Sequence, residues 1–325
     1  MKYRYVNERL NTIITERTPK EETTISFVMS LLHLSKESTY RRLRNEIPYT
    51  VREVAALTTK LTISLDELFD PKEEKAPLRL NLIESASPAD SYADRLRTVN
   101  QLFGNPAKSS PIKLLSVSNV LTHGHVFQFP LLNKLRYIRW AHQRCSLSAD
   151  FTLSTSVFPP QVREAQLEYL EIAKQIKDYV IIFDHDVVKK ELSVIEFYRR
   201  ISFITDSELL EIQKELLELL NQFEKISRTG YLSSGLNVEL YLSDLPVESN
   251  LVLIDKGEDF AVIFPNSGGY PIVSTSTKVF EAEKEWFDSL LKFSVLMTRS
   301  NEILQNNYFS QQRCLVKEAF TKMLG

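Results

Sequence analysis

Apolar positions along the chain follow two different periods, and the change of period divides the sequence into regions. Over most of the first 230 residues, apolar side chains recur every three or four positions, which is the spacing of an amphipathic helix. Two shorter apolar segments, at 112–121 and 179–183, are candidate strands. Beyond the N-terminal seventy residues, the predicted helices are 89–103, 131–144, 160–177, 187–203 and 206–228.

The pattern shortens between residues 236 and 279, where brief runs of β-branched and aromatic residues indicate strands. The segment 256–259 separates two of these runs and predicts a hairpin, and a helix around 280–297 follows. We therefore expect an α+β fold that is mainly α, with a small antiparallel sheet backed by helices. The predicted strands are 238–242, 251–255, 260–264 and 272–275.

A proline-containing and charged stretch at 71–90 is typical of a linker. It separates an all-α N-terminal domain from the rest of the chain. The change of period near residue 230 then separates a helical middle region from a C-terminal α+β region that would sense a ligand or bind a partner. The predicted boundaries are 1–70, 71–90, 91–230 and 231–325.

The N-terminal seventy residues contain several short helices with recognisable starts. A short amphipathic helix ends at His33, and Ser35 is a suitable N-cap for a second helix over Lys36–Arg44. Thr50 and Glu53 have the spacing of a capping box that opens a further helix, and 64–67 repeats that spacing. Short helices in a compact module, one of them with an exposed cationic face, are the geometry of a helix-turn-helix DNA reader.

The segment Val28–Phe69 resembles the Xre-type, phage-repressor-like helix-turn-helix domain. The resemblance rests on 31–35, on Tyr40–Arg44 and above all on the closing segment Leu61–Leu68. The whole chain is similar to a group of bacterial regulators that join this domain to a long, poorly characterised C-terminal region. The resemblance implies sequence-specific binding of double-stranded DNA, transcription regulation and a homodimer.

Charge is distributed unevenly, although the chain as a whole has a net charge of −2. Four cations and one acid lie within Lys36–Arg44, which gives this segment a local charge of +3. Arginine forks onto guanine or phosphate, and hydroxyl and ammonium groups at a helix start reach base edges or the DNA backbone. Tyr40 and Leu43 are predicted to face the domain interior. The predicted DNA-binding residues are Lys36, Ser38, Thr39, Arg41, Arg42 and Arg44.

Other residues that could carry chemistry have more ordinary interpretations. His142 and Cys145 have the spacing of two ligands on one helical turn, and His123 and His125 lie close together, but structural histidines and a buried thiol are the more ordinary interpretation, so we expect no metal. The run 184–186 could be a carboxylate site, but acidic residues also favour the start of the helix that follows. The sequence has neither a glycine-rich phosphate loop nor a nucleophile elbow. We predict no enzymatic activity and no cofactor.

One helix has a heptad-like seam, which favours either packing within its own domain or a dimer interface. The seam residues are Leu209, Ile212, Leu216, Leu219, Phe223 and Ile226. Two cysteines in the chain, an N-terminus without an apolar core and the absence of a long apolar stretch predict a cytoplasmic protein that does not enter a membrane.

Together these features predict a DNA-binding transcriptional regulator whose C-terminal region dimerises or senses a small-molecule or protein effector. Two alternatives remain open at this level. The N-terminal module could be a non-enzymatic interaction module that docks a protein partner, or the chain could be mainly a ligand-sensing protein.

Overall fold

The computed structural model divides the chain into two compact units, Met1–Pro77 and Leu78–Gly325. The predicted capping box at 64–67, Cys145 and most of the predicted linker lie outside the residues that the structure describes. The described residues are 2–19, 22–61, 63, 68, 78–80, 87–104, 111–121, 123–144, 152–232, 234–257, 259–265 and 271–325.

The N-terminal unit is helical throughout its described elements, as predicted. Thr23 caps the second helix by accepting a hydrogen bond from the Ser26 backbone N–H. Thr50 and Glu53 form the predicted capping box, since the Thr50 N–H donates to Glu53 Oε2 at 2.7 Å and the Glu53 N–H donates to Thr50 Oγ1 at 3.3 Å. The helices are α1 (Lys2–Arg17), α2 (Thr24–Leu32), α3 (Lys36–Leu43) and α4 (Val51–Leu61).

One apolar cluster holds this unit together. Its buried members come from α1, α2 and α4 and from the segments that follow α3 and α4, so these three helices contribute one face each rather than a whole surface. The cluster comprises Leu10, Ile13, Ile14, Phe27, Val28, Tyr49, Leu57, Ile63 and Leu68.

The second unit alternates helices and strands. Its helices are α5 (Pro88–Leu102), α6 (His123–Val126), α7 (Pro130–His142), α8 (Pro160–Ala173), α9 (Val187–Arg200), α10 (Asp206–Thr229), α11 (Thr277–Leu291) and α12 (Glu302–Leu324). Its strands are β1 (Arg79–Leu80), β2 (Ile112–Ser118), β3 (Ile176–Asp184), β4 (Asn237–Ser243), β5 (Leu251–Asp255), β6 (Phe260–Phe264), β7 (Ile272–Ser274) and β8 (Ser294–Leu296).

The described strands form one sheet in the order β1-β7-β6-β5-β2-β3-β4-β8. The pairs β2–β3 and β3–β4 are parallel, and the other neighbours are antiparallel. The sheet is therefore mixed and larger than the small antiparallel sheet that the sequence predicts. Strands on both sides of residue 230 belong to it, because β3 pairs with β4 through Asp178 and Asn237.

Both faces of the central strands are buried, which explains their nearly continuous apolar sequence. On β3, Ile181 and Phe183 belong to the larger cluster, whereas Val180 and Ile182 belong to the cluster that α11 covers on the opposite face. Because the side chains of a strand alternate between faces, a run of apolar residues here serves two cores at once.

Two elements near the C-terminus differ from the prediction. The apolar run at 280–297 is not one helix, because α11 ends at Leu291 and β8 then pairs antiparallel with β4. This pairing satisfies backbone groups of β4 that would otherwise lie at the sheet edge. The helix α12 follows Asn301, whose side chain accepts hydrogen bonds from the N–H groups of Ile303 and Leu304.

The heptad-like seam of α10 lies inside its own unit. Leu209, Ile212 and Leu216 are 0% exposed, and they belong to the larger core cluster. Packing within the domain, rather than a dimer interface, therefore accounts for this pattern. Among the described helices, none has the length and apolar content needed to cross a bilayer.

Candidate functional site

The turn between α2 and α3 brings the two helices together within a few residues. His33 ends α2 in the left-handed conformation with φ of 53°, and its backbone N–H donates to the carbonyl oxygen of Met29. Ser35 then caps α3 by accepting a hydrogen bond from the Ser38 N–H at 3.2 Å. The predicted cap is confirmed, and it fixes the start of α3 immediately after the turn.

Three of the predicted site residues, all cations, lie exposed on α3 or immediately after it. Lys36, Arg41 and Arg44 are each exposed to solvent. Arg41 has a weak ion pair, since its Nε lies 3.6 Å from Glu46 Oε2 and both side chains are about half exposed. The guanidinium of Arg44 lies 5.4 Å from the centre of the Tyr40 ring. Because exposed ion pairs contribute little energy, these cations remain available to an incoming anion.

Ser38 occupies an intermediate position on this surface. Its side chain is partly exposed, and its hydroxyl oxygen accepts a hydrogen bond from the Ser35 hydroxyl at 3.1 Å. The Ser38 hydroxyl keeps its own proton for donation, so it can still contact a ligand beside Lys36.

Thr39 does not belong to the exposed surface. Its side chain is 0% exposed, and its hydroxyl donates to the backbone carbonyl of Ser35 at 3.1 Å. The prediction that Thr39 contacts DNA is therefore wrong for this arrangement. Its neighbour Tyr40, predicted to face inward, is only partly buried. The inward face of α3 is rotated toward Thr39 because α3 packs against α2.

The side chain of Arg42 also binds within the N-terminal unit and not at its surface. Its Nε and Nη2 donate to the two carboxylate oxygens of Glu53 at 3.1 and 2.8 Å, and the two side chains are only 12% and 14% exposed. Burial raises the pKa of Glu53, but hydrogen bonds from Thr50 and Arg42 outweigh it and hold that pKa below its ordinary value. Arg42 thus joins α3 to the start of α4, and it is removed from the candidate surface.

An open groove of about 580 Å³ runs between α2 and α3. Hydroxyl side chains from α2 and the ammonium group of Lys36 contribute polar groups, and three aliphatic side chains contribute apolar surface. The groove is lined by Thr23, Ile25, Ser26, Met29, Ser30, Leu34, Lys36 and Tyr40.

A buried polar network holds the C-terminal end of α3. Asn11 Nδ2 on α1 donates to the carbonyl oxygen of Arg42 at 2.9 Å and to Asn45 Oδ1 at 2.9 Å. Its Oδ1 accepts from the Tyr49 hydroxyl at 2.9 Å. Asn7, one turn earlier on α1, donates to Asn45 Oδ1 at 2.7 Å. Each amide satisfies groups that the end of α3 leaves open, so the network fixes the orientation of α3 against α1.

Sequence reasoning missed this network, although a signal was present. Asn7 and Asn11 lie four positions apart within a helical pattern, on the same stripe as Leu10 and Ile14. Polar residues on an apolar stripe indicate buried hydrogen bonds. Their partners could not be identified from the sequence, because they lie more than thirty positions away.

The residues weighed for metal or acid–base chemistry have structural surroundings in the second unit. Burial first, and then the nearby Arg136, lower the pKa of His125 to about 3, and its ring contacts those of Phe183 and Phe223. The ring nitrogen Nδ1 of His142 lies 3.3 Å from the Tyr198 hydroxyl. Within the described part of the chain, no three His, Cys, Asp or Glu side chains converge as metal ligands.

Asp184 supports local structure at the end of β3. Its carboxylate accepts from the N–H groups of Asp186 and Val247, both at 2.8 Å, and from Lys190 Nζ at 3.1 Å. Burial raises its pKa, but these hydrogen bonds prevail and hold it below the ordinary aspartate value. The side chain thus secures the turn that leads into α9. The N-cap residue of α9 is Asp186, whose side chain makes no capping hydrogen bond, so the acidic run stands at the helix start without acting as a side-chain cap.

Comparison with known proteins finds no matching family model, no similar curated protein and no similar solved structure. Function is therefore inferred from the residues and their geometry.

Proposed function

We propose that this protein is a sequence-specific DNA-binding transcriptional regulator and that α2 and α3 act as a helix-turn-helix pair of the Xre type. The observation that carries the proposal is the exposed group of Lys36, Arg41 and Arg44 on a short helix that directly follows a tight turn. A helix of this kind fits the major groove of B-DNA, where guanidinium groups read guanine or bind phosphate.

The groove side of α2 supports the same proposal. Ser26 and Ser30 are exposed on α2, and they line the groove together with Lys36 of α3. Hydroxyl and ammonium groups placed in this way contact phosphate oxygens and set the register of a reading helix on the duplex. Arg41 and Arg44 would then provide the contacts that depend on base sequence.

The internal supports of α3 are consistent with a reading helix. Arg42 joins α3 to α4 through Glu53, and Asn11 joins the end of α3 to α1. A reading helix needs such supports because its side chains must meet base edges within a narrow range of distance and angle. The two residues thus act by positioning the exposed cations, without contacting DNA themselves.

We further propose that the protein works as a cytoplasmic homodimer, since two-fold DNA sites commonly match two-fold readers. The α10 seam does not support a dimer contact, because its residues are buried in their own unit apart from Phe223, which is partly buried. An effector is expected to act through the second unit. The enclosed apolar cavity beside α10 is not its site, because a volume of about 20 Å³ holds at most a single water molecule.

Selection from random duplex DNA tests the proposal with the full chain. The wild-type protein should enrich a defined motif, and the triple variant Lys36→Ala, Arg41→Ala, Arg44→Ala should enrich none. A control triple removes the same number of exposed cations from the second unit, through Arg163→Ala, Lys189→Ala and Arg200→Ala, and it should enrich the wild-type motif. Equal enrichment by both triples would overturn the assignment of this surface, and no enrichment by the wild-type protein would favour protein docking by the module.

A further inference from the structure

Three arginines gather in the second unit where α5 packs beside α7. Arg95 lies on α5, Arg136 lies on α7, and Arg144 follows two residues after the end of α7. Arg136 and Trp140 are four residues apart, so they lie on one side of α7, and Arg144 follows beyond its end after a further four residues. The structure therefore concentrates positive charge around one buried indole ring.

Aromatic side chains hold these groups in place. The ring centre of Tyr92 lies 5.0 Å from that of Trp140 and 5.4 Å from that of Tyr137. The guanidinium of Arg144 lies 5.5 Å from the Trp140 ring centre. Tyr92 is 0% exposed and Trp140 is 6% exposed, so this frame is tightly packed.

Two buried N–H donors in the cluster are left without partners. Within the described residues, the Nε of Arg136 and the Nε1 of Trp140 have no hydrogen-bond acceptor. In the part of the chain that the structure describes, the other end of Arg136 has a long contact, with Nη2 at 3.5 Å from Glu191 Oε2. Buried donors are almost always satisfied in folded proteins, so two adjacent exceptions on one helix call for an acceptor.

Arg95 has the least compensated charge of the group. Among the described residues, the side chain of Arg95 makes neither a hydrogen bond nor an ion pair, and it is partly buried near Tyr92. Burial lowers the pKa of the Arg95 guanidinium, and the positive charges of Arg136 and Arg144 lower it further, with Tyr92 acting in the opposite direction. A partly buried cation beside two like charges favours the binding of an anion.

We propose that the cluster of Arg95, Arg136 and Arg144 is a binding site for the phosphate group of a small molecule. Guanidinium forks match phosphate oxygens in pairs, and the indole N–H supplies one further donor. Arg144 is exposed and Arg95 is partly exposed, so the cluster can be reached from solvent. The proposal concerns the second unit and does not rest on DNA binding by the first.

Thermal unfolding of the full chain tests the site with inorganic phosphate, a sugar phosphate and a nucleoside triphosphate in separate arms. Sodium chloride at matched ionic strength is the reference. At about ten times the dissociation constant, a bound phosphate should raise the melting temperature by about 3 °C. The arm with the largest shift distinguishes free phosphate from a phosphorylated metabolite.

Two variants make the result specific. Arg95→Met should raise the melting temperature without phosphate, because it removes an uncompensated charge, and it should abolish the phosphate-dependent rise. Arg97→Met on the same helix removes an arginine that is paired with Asp94, Glu164 and Glu168, and it should keep that rise. Either the absence of a phosphate-specific shift in the wild-type protein or an equal shift in Arg95→Met would overturn the proposal.

Discussion

Replacing Arg42 and replacing Arg41 should have opposite consequences, although the two arginines are neighbours on α3. Arg42→Met removes both hydrogen bonds to Glu53 and leaves that carboxylate without its cation. Breaking a buried ion pair costs about 3–5 kcal/mol. Because the two side chains remain 12% and 14% exposed, we expect a smaller loss, of about 2–3 kcal/mol in the free energy of unfolding of the N-terminal unit.

Hydrogen exchange of the amides in α2, α3 and α4 measures this loss locally in the full chain. A change of about 2–3 kcal/mol lowers protection roughly 30- to 160-fold where exchange requires opening of the unit. Arg41→Met is the matched control. Its pair with Glu46 is half exposed, so its protection should stay within about twofold of wild type.

The double variant Arg42→Met, Glu53→Met completes the design. Removing both partners no longer leaves an unpaired buried charge, so the double variant should be more stable than the sum of the two single losses predicts. Equal protection in Arg42→Met and Arg41→Met would refute the structural role of Arg42, and so would strict additivity in the double variant.

Three further predictions concern stability. Asn11→Leu leaves the buried Tyr49 hydroxyl without its acceptor and the Leu43 carbonyl oxygen without its side-chain donor, and it should cost about 1–3 kcal/mol, measured by the same hydrogen exchange, whereas a loss below about 0.5 kcal/mol would contradict the network. His33→Gly relieves a left-handed backbone and should stabilise the N-terminal unit by about 0.5–1 kcal/mol in urea unfolding; destabilisation would show that the His33 side chain makes a needed contact. The pKa of Asp184 is lowered in the folded state, so its stabilising effect is complete above the ordinary aspartate pKa and is lost as the pH falls through the folded value. Thermal unfolding should therefore show Asp184→Asn to be less stable than wild type at neutral pH, with the difference shrinking in acid, and a difference independent of pH would refute this role.

Local signals in the sequence predicted much of the N-terminal unit. Ser35 and the Thr50–Glu53 pair mark helix starts because their hydrogen bonds close within three residues. The rotation of α3 about its axis, in contrast, is not specified by local signals. It depends on α1 and α2, which decide that Thr39 is buried and that Arg44 is exposed. A short helix with few apolar residues does not define that rotation by itself.

The second unit shows the same division between local and distant information. Runs such as 251–255 and 260–264 predicted strands correctly, because strand-forming residues and a short turn are neighbours in the sequence. The parallel pairing of β2 with β3 and of β3 with β4 joins segments separated by whole helices, so no local pattern specifies it. The unpaired donors around Trp140 could not be predicted from the sequence either, because whether a buried donor finds an acceptor depends on the packed structure.

The salt dependence of DNA binding tests the central claim most directly. The motif selected by the wild-type protein is titrated with the full chain at several salt concentrations, and the slope of log affinity against log salt is compared between variants. Each lost phosphate contact should reduce the magnitude of the slope by about 0.9. The triple variant at Lys36, Arg41 and Arg44 should bind more weakly with a slope reduced by about 1 to 3, whereas the control triple in the second unit should match wild type. Wild-type affinity and slope in the variant at Lys36, Arg41 and Arg44 would contradict the account.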